Sequence, residues 1–215
     1  MQSVAELRHE YLQGSWAHPC PLHCPPVIDL RVRPHLQWFL QPIGRGLNRL
    51  GVSPLVLTLL GLAVTITGAF LIGMGRIIGG ATVALIGSIL DGLDGSVARA
   101  AGTESPRGAL LDAMADRIGE VAVLGGLAAA VANDRRLVLL TIAALGGSLL
   151  VPYLRAKAEA EGLDGRGGMM GRAERVILFT VGLLVGLIEP MLWVLVIATW
   201  ATVIWRFLLT YNNLR

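Results

Sequence analysis

Two long uncharged apolar segments constrain the fold of this chain more than any other feature. The segments Val52 to Met74 and Leu137 to Leu154 contain no charged residue, and a helix needs about 20 apolar residues to cross the hydrocarbon of a membrane. Charged residues make up only 15% of the chain, whereas soluble domains carry about 25%. The sequence therefore predicts an integral membrane protein.

Four further apolar segments are shorter and are bordered by charge, so we expect helices that extend beyond the lipid as polar turns. One of them, Val121 to Ala132, follows a polar and helix-compatible stretch that begins near Pro106. Together with the two long segments they predict an all-α integral membrane protein with six transmembrane helices. The other three shorter segments are Ile77 to Leu90, Val176 to Ile188 and Pro190 to Trp205.

Basic residues fall mainly on one side of these six predicted spans. The opposite side holds only Arg76, Arg135 and Arg136. Because Lys and Arg accumulate in cytoplasmic loops, the basic side and both termini are expected in the cytoplasm, with the protein in the plasma (inner) membrane. The formal net charge of +3 is too balanced to indicate a nucleic-acid partner.

The segment before the first span differs in character from the membrane domain, which we predict over residues 34–215. Residues 1–33 are expected to form a flexible extension, whose His18, Cys20, His23 and Cys24 match no common zinc spacing. Pro34 to Leu50 mixes apolar and basic residues and predicts an interfacial helix. An ordinary polar lead-in is an equally good interpretation of that segment.

Four acidic residues lie where the second and third predicted helices end on the basic, cytoplasmic side of the membrane. Asp91 and Asp94 are three positions apart, and Asp112 and Asp116 are four apart, so each pair occupies one helical face. Carboxylates at a membrane boundary are costly unless they are neutralised. Hard divalent cations such as Mg²⁺ or Mn²⁺ suit oxygen ligands, and we favour such a site over scattered, solvated acids.

Small and capping residues lie between these acids. Gly92 and Gly95 alternate with the first pair, and Gly108 opens the third helix. Because Gly costs about 1 kcal/mol against Ala inside a helix, glycines here suggest the close approach of a bulky group. Ser105 followed by Pro106 predicts a helix N-terminus, which favours a phosphate.

From Asp91 to Asp116 the sequence follows the pattern D-x2-D-G-x2-A-R-x8-G-x3-D-x3-D. This pattern resembles the signature of the CDP-alcohol phosphotransferases, and all eight fixed positions agree. The resemblance covers about Leu36 to Asn213 and implies a six-helix membrane fold. It implies transfer of a substituted phosphate from a CDP-linked lipid, here CDP-diacylglycerol, to an alcohol, with release of CMP.

The resemblance also implies roles for individual residues. Asp91, Asp94, Asp112 and Asp116 would hold two divalent ions, Mg²⁺ or Mn²⁺, and Asp116 would be the general base that takes the acceptor hydroxyl proton. The residues implied to contact the CDP-lipid are Leu55, Val56, Leu57, Thr58, Asp94, Gly95, Ala98, Arg99, Ser105 and Gly108.

A second set of charges, all basic, could bind a phosphate on the acceptor by forked hydrogen bonds. The general basic bias of cytoplasmic loops explains part of this set equally well. Tyr153 to Gly162 and Gly171 to Arg175 are similar to the phosphatidylinositol phosphate synthase branch of the family, which implies inositol 1-phosphate as the acceptor. The proposed acceptor-phosphate residues are Arg155, Lys157, Arg172, Arg175 and Arg206.

Alternatives remain open at this point. Pro152 and the pair Gly119-Glu120 differ from that branch, so transfer to glycerol 3-phosphate or another phosphorylated polyol is the main competing function. A divalent-metal transporter is a hypothesis from another class, disfavoured because the acids cluster at one membrane face and no inverted repeat is evident. An inactive scaffold is disfavoured by the intact signature. Small residues at Gly79-Gly80 and Gly146-Gly147-Ser148 allow close helix packing, and we expect a homodimer.

Overall fold

The computed structural model describes residues 53–102, 105–165 and 167–214, with the side chains of residues 96 and 99–101 left out. These described residues form six α-helices and no strand. The predicted interfacial helix and the N-terminal extension lie outside the described residues. The helices are α1 (Pro54–Gly73), α2 (Ile77–Ala101), α3 (Pro106–Ala130), α4 (Arg135–Ala160), α5 (Arg172–Val185) and α6 (Ile188–Asn213).

Local sequence signals explain where several helices begin. Pro106 opens α3, and the Ser105 hydroxyl accepts a 3.1 Å hydrogen bond from the Gly108 N–H, so the predicted N-cap is present. Asp134 caps α4 by accepting bonds from the N–H groups of Arg136 and Leu137. Each cap satisfies backbone donors that a helix start leaves unpaired.

Four of the six helices, α1, α2, α4 and α6, are long and apolar enough to cross a membrane. The predicted count of six spans is therefore not confirmed among the described helices. The helix α5 has 14 residues, which is about 21 Å of length against about 30 Å of hydrocarbon. The helix α3 is long, but its first half carries the charges of Arg107, Asp112, Asp116 and Arg117.

All six helices contribute to one apolar core. Its buried members include Ile72, Ala81, Leu124, Leu140, Phe179 and Leu192, one from each helix in chain order. Outside this core, large apolar side chains such as Phe70, Ile78 and Ile197 are exposed. So much exposed apolar surface suits contact with lipid.

The helix α1 packs closely on α2 because glycines line the contact. A Cβ added at Gly61 would lie 2.8 Å from the Asp91 backbone nitrogen and 2.9 Å from the Gly87 oxygen. A Cβ added at Gly80 of α2 would lie 2.6 Å from the Ile72 backbone nitrogen of α1. Gly80 is therefore explained by packing within the chain. Gly147 likewise faces Thr199 on α6, whereas a Cβ on Gly79 would meet nothing within 4 Å.

We expect Gly61→Ala to destabilise the protein, because the added methyl would contact the backbone of α2 and force the two helices apart. The loss should be about 1 to 3 kcal/mol, the usual cost of overpacking a core. Thermal unfolding of the detergent-solubilised protein would measure it as a lower midpoint.

Gly79→Ala is the matched control, since the same substitution on α2 meets open space and gains helix propensity. Its midpoint should be equal to or above that of the unsubstituted protein. Equal midpoints for the two variants would contradict the proposed close packing of α1 on α2.

Candidate active site

Three of the four predicted metal ligands converge where α2 and α3 approach each other. Asp91 comes from α2, and Asp112 and Asp116 come from consecutive turns of α3. One carboxylate oxygen from each lies within 4.8 Å of the other two. The helix α1 contacts both α2 and α3, so it holds the two helices that carry these acids.

The fourth acid, Asp94, points its carboxylate at other partners. The Thr58 hydroxyl of α1 donates a hydrogen bond to its Oδ2, and the Gly95 N–H donates to its Oδ1. Asp94 is buried and is not one of the three acids whose oxygens lie close together. Thr58, which the resemblance assigns to the CDP-lipid, thus also orients an acid of the motif.

One carboxylate oxygen in the cluster has no donor. Among the residues that the structure describes, Asp91 Oδ1 is buried without a hydrogen-bond partner, whereas Asp116 Oδ1 has an arginine nitrogen 2.5 Å away. A buried carboxylate oxygen without a donor is costly, and a hard divalent cation would satisfy it. The residues present therefore fit Mg²⁺ or Mn²⁺.

Arg172, at the start of α5, lies between two of these acids. Its Nη2 atom is 2.5 Å from Asp91 Oδ2 and 2.5 Å from Asp116 Oδ1. Burial by itself would lower the pKa of Arg172, but attraction to Asp116 and Asp91 raises it above the ordinary value. This arginine, predicted to bind the acceptor phosphate, thus pairs with the acidic cluster.

Asp116 lies in the polar first half of α3. Burial raises the pKa of Asp116 above its ordinary value, Arg172 opposes that rise, and the neighbouring Asp91 and Asp112 add to it. A carboxylate whose proton affinity is raised is a stronger base than a solvated one. Arg117 also contacts Asp116, at 3.3 Å.

The remaining basic residues of the predicted acceptor set have separate partners. Arg155 pairs with Glu159 at 2.8 Å and Lys157 with Glu161 at 2.5 Å, both within α4. Arg206 on α6 donates to backbone oxygens, to Gly167 at 2.8 Å and Val151 at 2.7 Å. Arg155 and Arg175 are nevertheless close enough to Arg206 for their charges to repel it.

Arg175 is buried, and it pairs with a residue that the sequence did not place in the site. Its Nε donates to Glu120 Oε1 at 2.7 Å, and its Nη2 lies 3.4 Å from Glu120 Oε2. Glu120 follows Asp116 by four positions on α3, so helical spacing could have placed it on the acidic face. From the sequence alone, Glu120 is evident only as a difference from related sequences.

The residues predicted to contact the CDP-lipid are spread over the ends of α1, α2 and α3. Leu57 is buried against Leu93 and Val97, while Leu55 and Val56 are exposed. Gly95 and Ala98 are half-buried, Gly108 is exposed, and the Arg99 side chain is outside the description. A Cβ on Gly92 would meet nothing within 4 Å, so the protein itself does not require glycine there.

A cleft of about 760 Å³, part of it open to solvent, connects the acidic cluster to the interior of the bundle. Its floor carries the hydroxyl residues Thr65, Ser148 and Thr180 among apolar side chains. The charged residues that line it are Asp91, Asp116, Glu120, Arg172 and Arg175. Carboxylate and guanidinium groups therefore share one cleft.

Comparison with known proteins identifies the family of this chain. Residues 52–205 match the family model for CDP-alcohol phosphatidyltransferase. A phosphatidylinositol phosphate synthase of Mycobacterium marinum is 42% identical over 145 residues, which cover 66% of this chain and 62% of that protein. The protein of that name from Mycobacterium tuberculosis strain H37Rv is 43% identical over 145 residues, covering 66% of this chain and 67% of that one.

Solved structures of the Mycobacterium tuberculosis phosphatidylinositol phosphate synthase have the same fold. The form with CDP-DAG bound superimposes with a TM-score of 0.75 at 37% identity, covering 80% of this chain and 93% of that one. The form in complex with manganese and citrate also gives a TM-score of 0.75 and covers 80% and 88% of the two chains. The chain described here is a membrane protein of the CDP-alcohol phosphatidyltransferase family.

Proposed function

We propose that this protein transfers the phosphatidyl group of CDP-diacylglycerol to inositol 1-phosphate, giving phosphatidylinositol phosphate and CMP. The observation that carries the proposal is the cleft lined by Asp91, Asp116 and the buried Arg175, with Asp112 in the same carboxylate cluster. It pairs a cation site with an anion-binding group, as a reaction between a pyrophosphate and a phosphorylated alcohol requires. The relatives named phosphatidylinositol phosphate synthase support this choice of acceptor.

Asp91, Asp112 and Asp116 would hold the divalent ions, Mg²⁺ or Mn²⁺, and Asp94 would complete a site for two of them. Bound ions of this kind offset charge on the pyrophosphate and on the departing CMP. The manganese complex of the mycobacterial synthase supports a divalent ion. Thr58 and Gly95 fix the Asp94 carboxylate, which limits its rotation toward or away from the ions.

Asp116 takes the proton from the attacking hydroxyl of the acceptor onto a carboxylate oxygen. The acceptor oxygen then bonds to the phosphorus that carries diacylglycerol, and the bond from that phosphorus to the CMP oxygen breaks. Burial in the cleft and the neighbouring Asp91 and Asp112 strengthen Asp116 as a base. Holding both reactants in line supplies much of the remaining rate enhancement.

The donor would lie across the ends of α1, α2 and α3. Leu55 to Thr58, Gly95, Ala98 and Arg99 would contact its nucleotide and pyrophosphate. The structure of the mycobacterial synthase with CDP-DAG bound supports such a site. The N-terminus of α3, with Ser105 and Gly108, offers partial positive charge to a phosphate.

The acceptor phosphate would bind among Arg155, Arg175 and Arg206. These three side chains come from α4, α5 and α6, and the charges of Arg155 and Arg175 both act on Arg206. Lys157 lies one turn from Glu161 and is exposed, which suits a contribution to the local positive potential. Arg172 would join this set once a cation replaces it among the carboxylates.

We further propose six membrane crossings in the plasma membrane, with α3 and α5 as its shorter or more polar crossings and the active site on the cytoplasmic face. The basic residues of the loops support that orientation. Homodimer formation stays part of the proposal.

A panel of acceptors tests the proposed function directly. Purified protein with CDP-diacylglycerol and Mg²⁺ or Mn²⁺ should release CMP with inositol 1-phosphate, and much less with glycerol 3-phosphate or free inositol. A preference for glycerol 3-phosphate would overturn the acceptor assignment. CMP release that needs no divalent ion would overturn the metal assignment, and a divalent-metal transporter would release no CMP at all.

Asp116→Asn should lower kcat for CMP release by about 10² to 10⁴, the range typical of a lost general base. The amide cannot take the hydroxyl proton and is a weaker cation ligand. Steady-state CMP release at saturating CDP-diacylglycerol measures the change, with the unfolding midpoint as a check on folding.

Asp134→Asn provides the control for that substitution. Asp134 caps α4 away from the cleft, and Asn is an equally good N-cap, so activity should stay within about twofold of the unsubstituted value. Full activity in Asp116→Asn would show that another group accepts the proton.

Arg175→Ala should raise KM for inositol 1-phosphate about tenfold or more, the loss expected for a charged hydrogen bond. KM for CDP-diacylglycerol should change little, because the donor lies on the α1 and α2 side of the acidic cluster. Varying each substrate at saturating concentrations of the other separates the two constants.

Arg136→Ala is the matched control, since Arg136 forms an exposed 2.9 Å pair with Glu189 at the start of α4. It should alter neither KM. Equal increases of both KM values in Arg175→Ala would argue against an acceptor-phosphate site at that position.

A further inference from the structure

Two arginines at the start of α5 face the same cleft but pair with different acids. Arg172 and Arg175 are three positions apart, so they lie on one face of the helix. Arg172 reaches Asp91 and Asp116, whereas Arg175 pairs with Glu120. Each arginine is therefore held beside a different carboxylate of the cleft.

Glu120 joins Arg175 to the base through a chain of ion pairs. Its Oε1 accepts from Arg175 at 2.7 Å, and its Oε2 accepts from Arg117 Nη1 at 3.1 Å. Arg117 Nη2 in turn contacts Asp116 at 3.3 Å. Glu120 thus lies between the group proposed to bind the acceptor phosphate and the group proposed to take the acceptor proton.

The contact leaves one end of Arg175 open to a ligand. Glu120 occupies Nε and Nη2, and Nη1 has no partner among the residues that the structure describes. A guanidinium held along one edge presents its remaining donors in a fixed direction, which suits forked binding of a phosphate. Arg175 is 4% exposed, so its other orientations are restricted by packing.

We infer that Glu120 is a positioning residue for the acceptor phosphate: it holds the buried Arg175 toward the acceptor and away from the metal-binding carboxylates. The inference rests on the proposed function. Without Glu120, Arg175 would lose its ion pair, and the other carboxylates that line the same cleft are Asp91 and Asp116, with which Arg172 already pairs. Phosphate recognition would then weaken, although Arg175 itself is still present.

A double-mutant cycle on the full-length purified protein tests this role, with CMP release from CDP-diacylglycerol and inositol 1-phosphate as the readout. Glu120→Gln keeps the side-chain shape but loses the charge, and it should raise KM for inositol 1-phosphate about tenfold. KM for CDP-diacylglycerol should stay within about twofold. Arg175→Gln should raise the acceptor KM at least as much.

The double variant distinguishes positioning from two independent effects. If Glu120 acts through Arg175, the variant with both Glu120→Gln and Arg175→Gln should have the acceptor KM of Arg175→Gln alone. Glu120→Asp keeps the charge, so its acceptor KM should lie between those of the unsubstituted protein and Glu120→Gln. Glu189→Gln, in an exposed ion pair with Arg136, is the matched control and should match the unsubstituted protein.

Three results would overturn the inference. They are an unchanged acceptor KM in Glu120→Gln, equal increases of both KM values, and effects of the two single substitutions that multiply in the double variant. Failure of the proposed function gives a different result, because the unsubstituted protein would then release no CMP with inositol 1-phosphate.

Discussion

The close contact of α1 with α2 and α3 is the constraint on which the site depends. Gly61 lets α1 approach the backbone of Asp91, and a Cβ on Gly119 of α3 would lie 3.3 Å from the Thr65 methyl. The helices α2 and α3 contact each other much less than each contacts α1. Convergence of Asp91 with Asp112 and Asp116 is therefore produced by a third helix that contributes no carboxylate.

Bringing three carboxylates together inside a bundle costs free energy unless positive charge accompanies them. Arg172 and Arg117 supply part of that charge, and divalent ions would supply more. The same physics would favour a cation near the acids and a phosphate beside the buried Arg175, which lines the same cleft.

The sequence predicted the features that depend on local spacing. The six apolar segments correspond to the six described helices, and the spacing of Asp112 and Asp116 placed both on one face of α3. Contacts between distant positions were not predictable in the same way. Arg172 reaches Asp91 across 81 positions, and Arg175 reaches Glu120 across 55. Of the five basic residues predicted to bind the acceptor phosphate, four pair with acids and Arg206 donates to backbone oxygens. Sequence spacing alone indicates only the two i,i+4 pairs within α4.

The role proposed for Glu120 requires that a negative charge beside Arg175 favour the binding of a phosphate. A carboxylate beside Arg175 reduces the local positive potential, which by itself weakens attraction for a phosphate. A free arginine in the same cleft would instead have the acidic cluster as a competing partner, and a buried ion pair resists rearrangement more than an exposed one does. The fixed direction of the Arg175 donors outweighs the reduced positive potential, because recognition of a phosphate by a guanidinium depends on the direction of its donors. One acid on α3 can thus keep the cation site and the phosphate site separate within a single cleft.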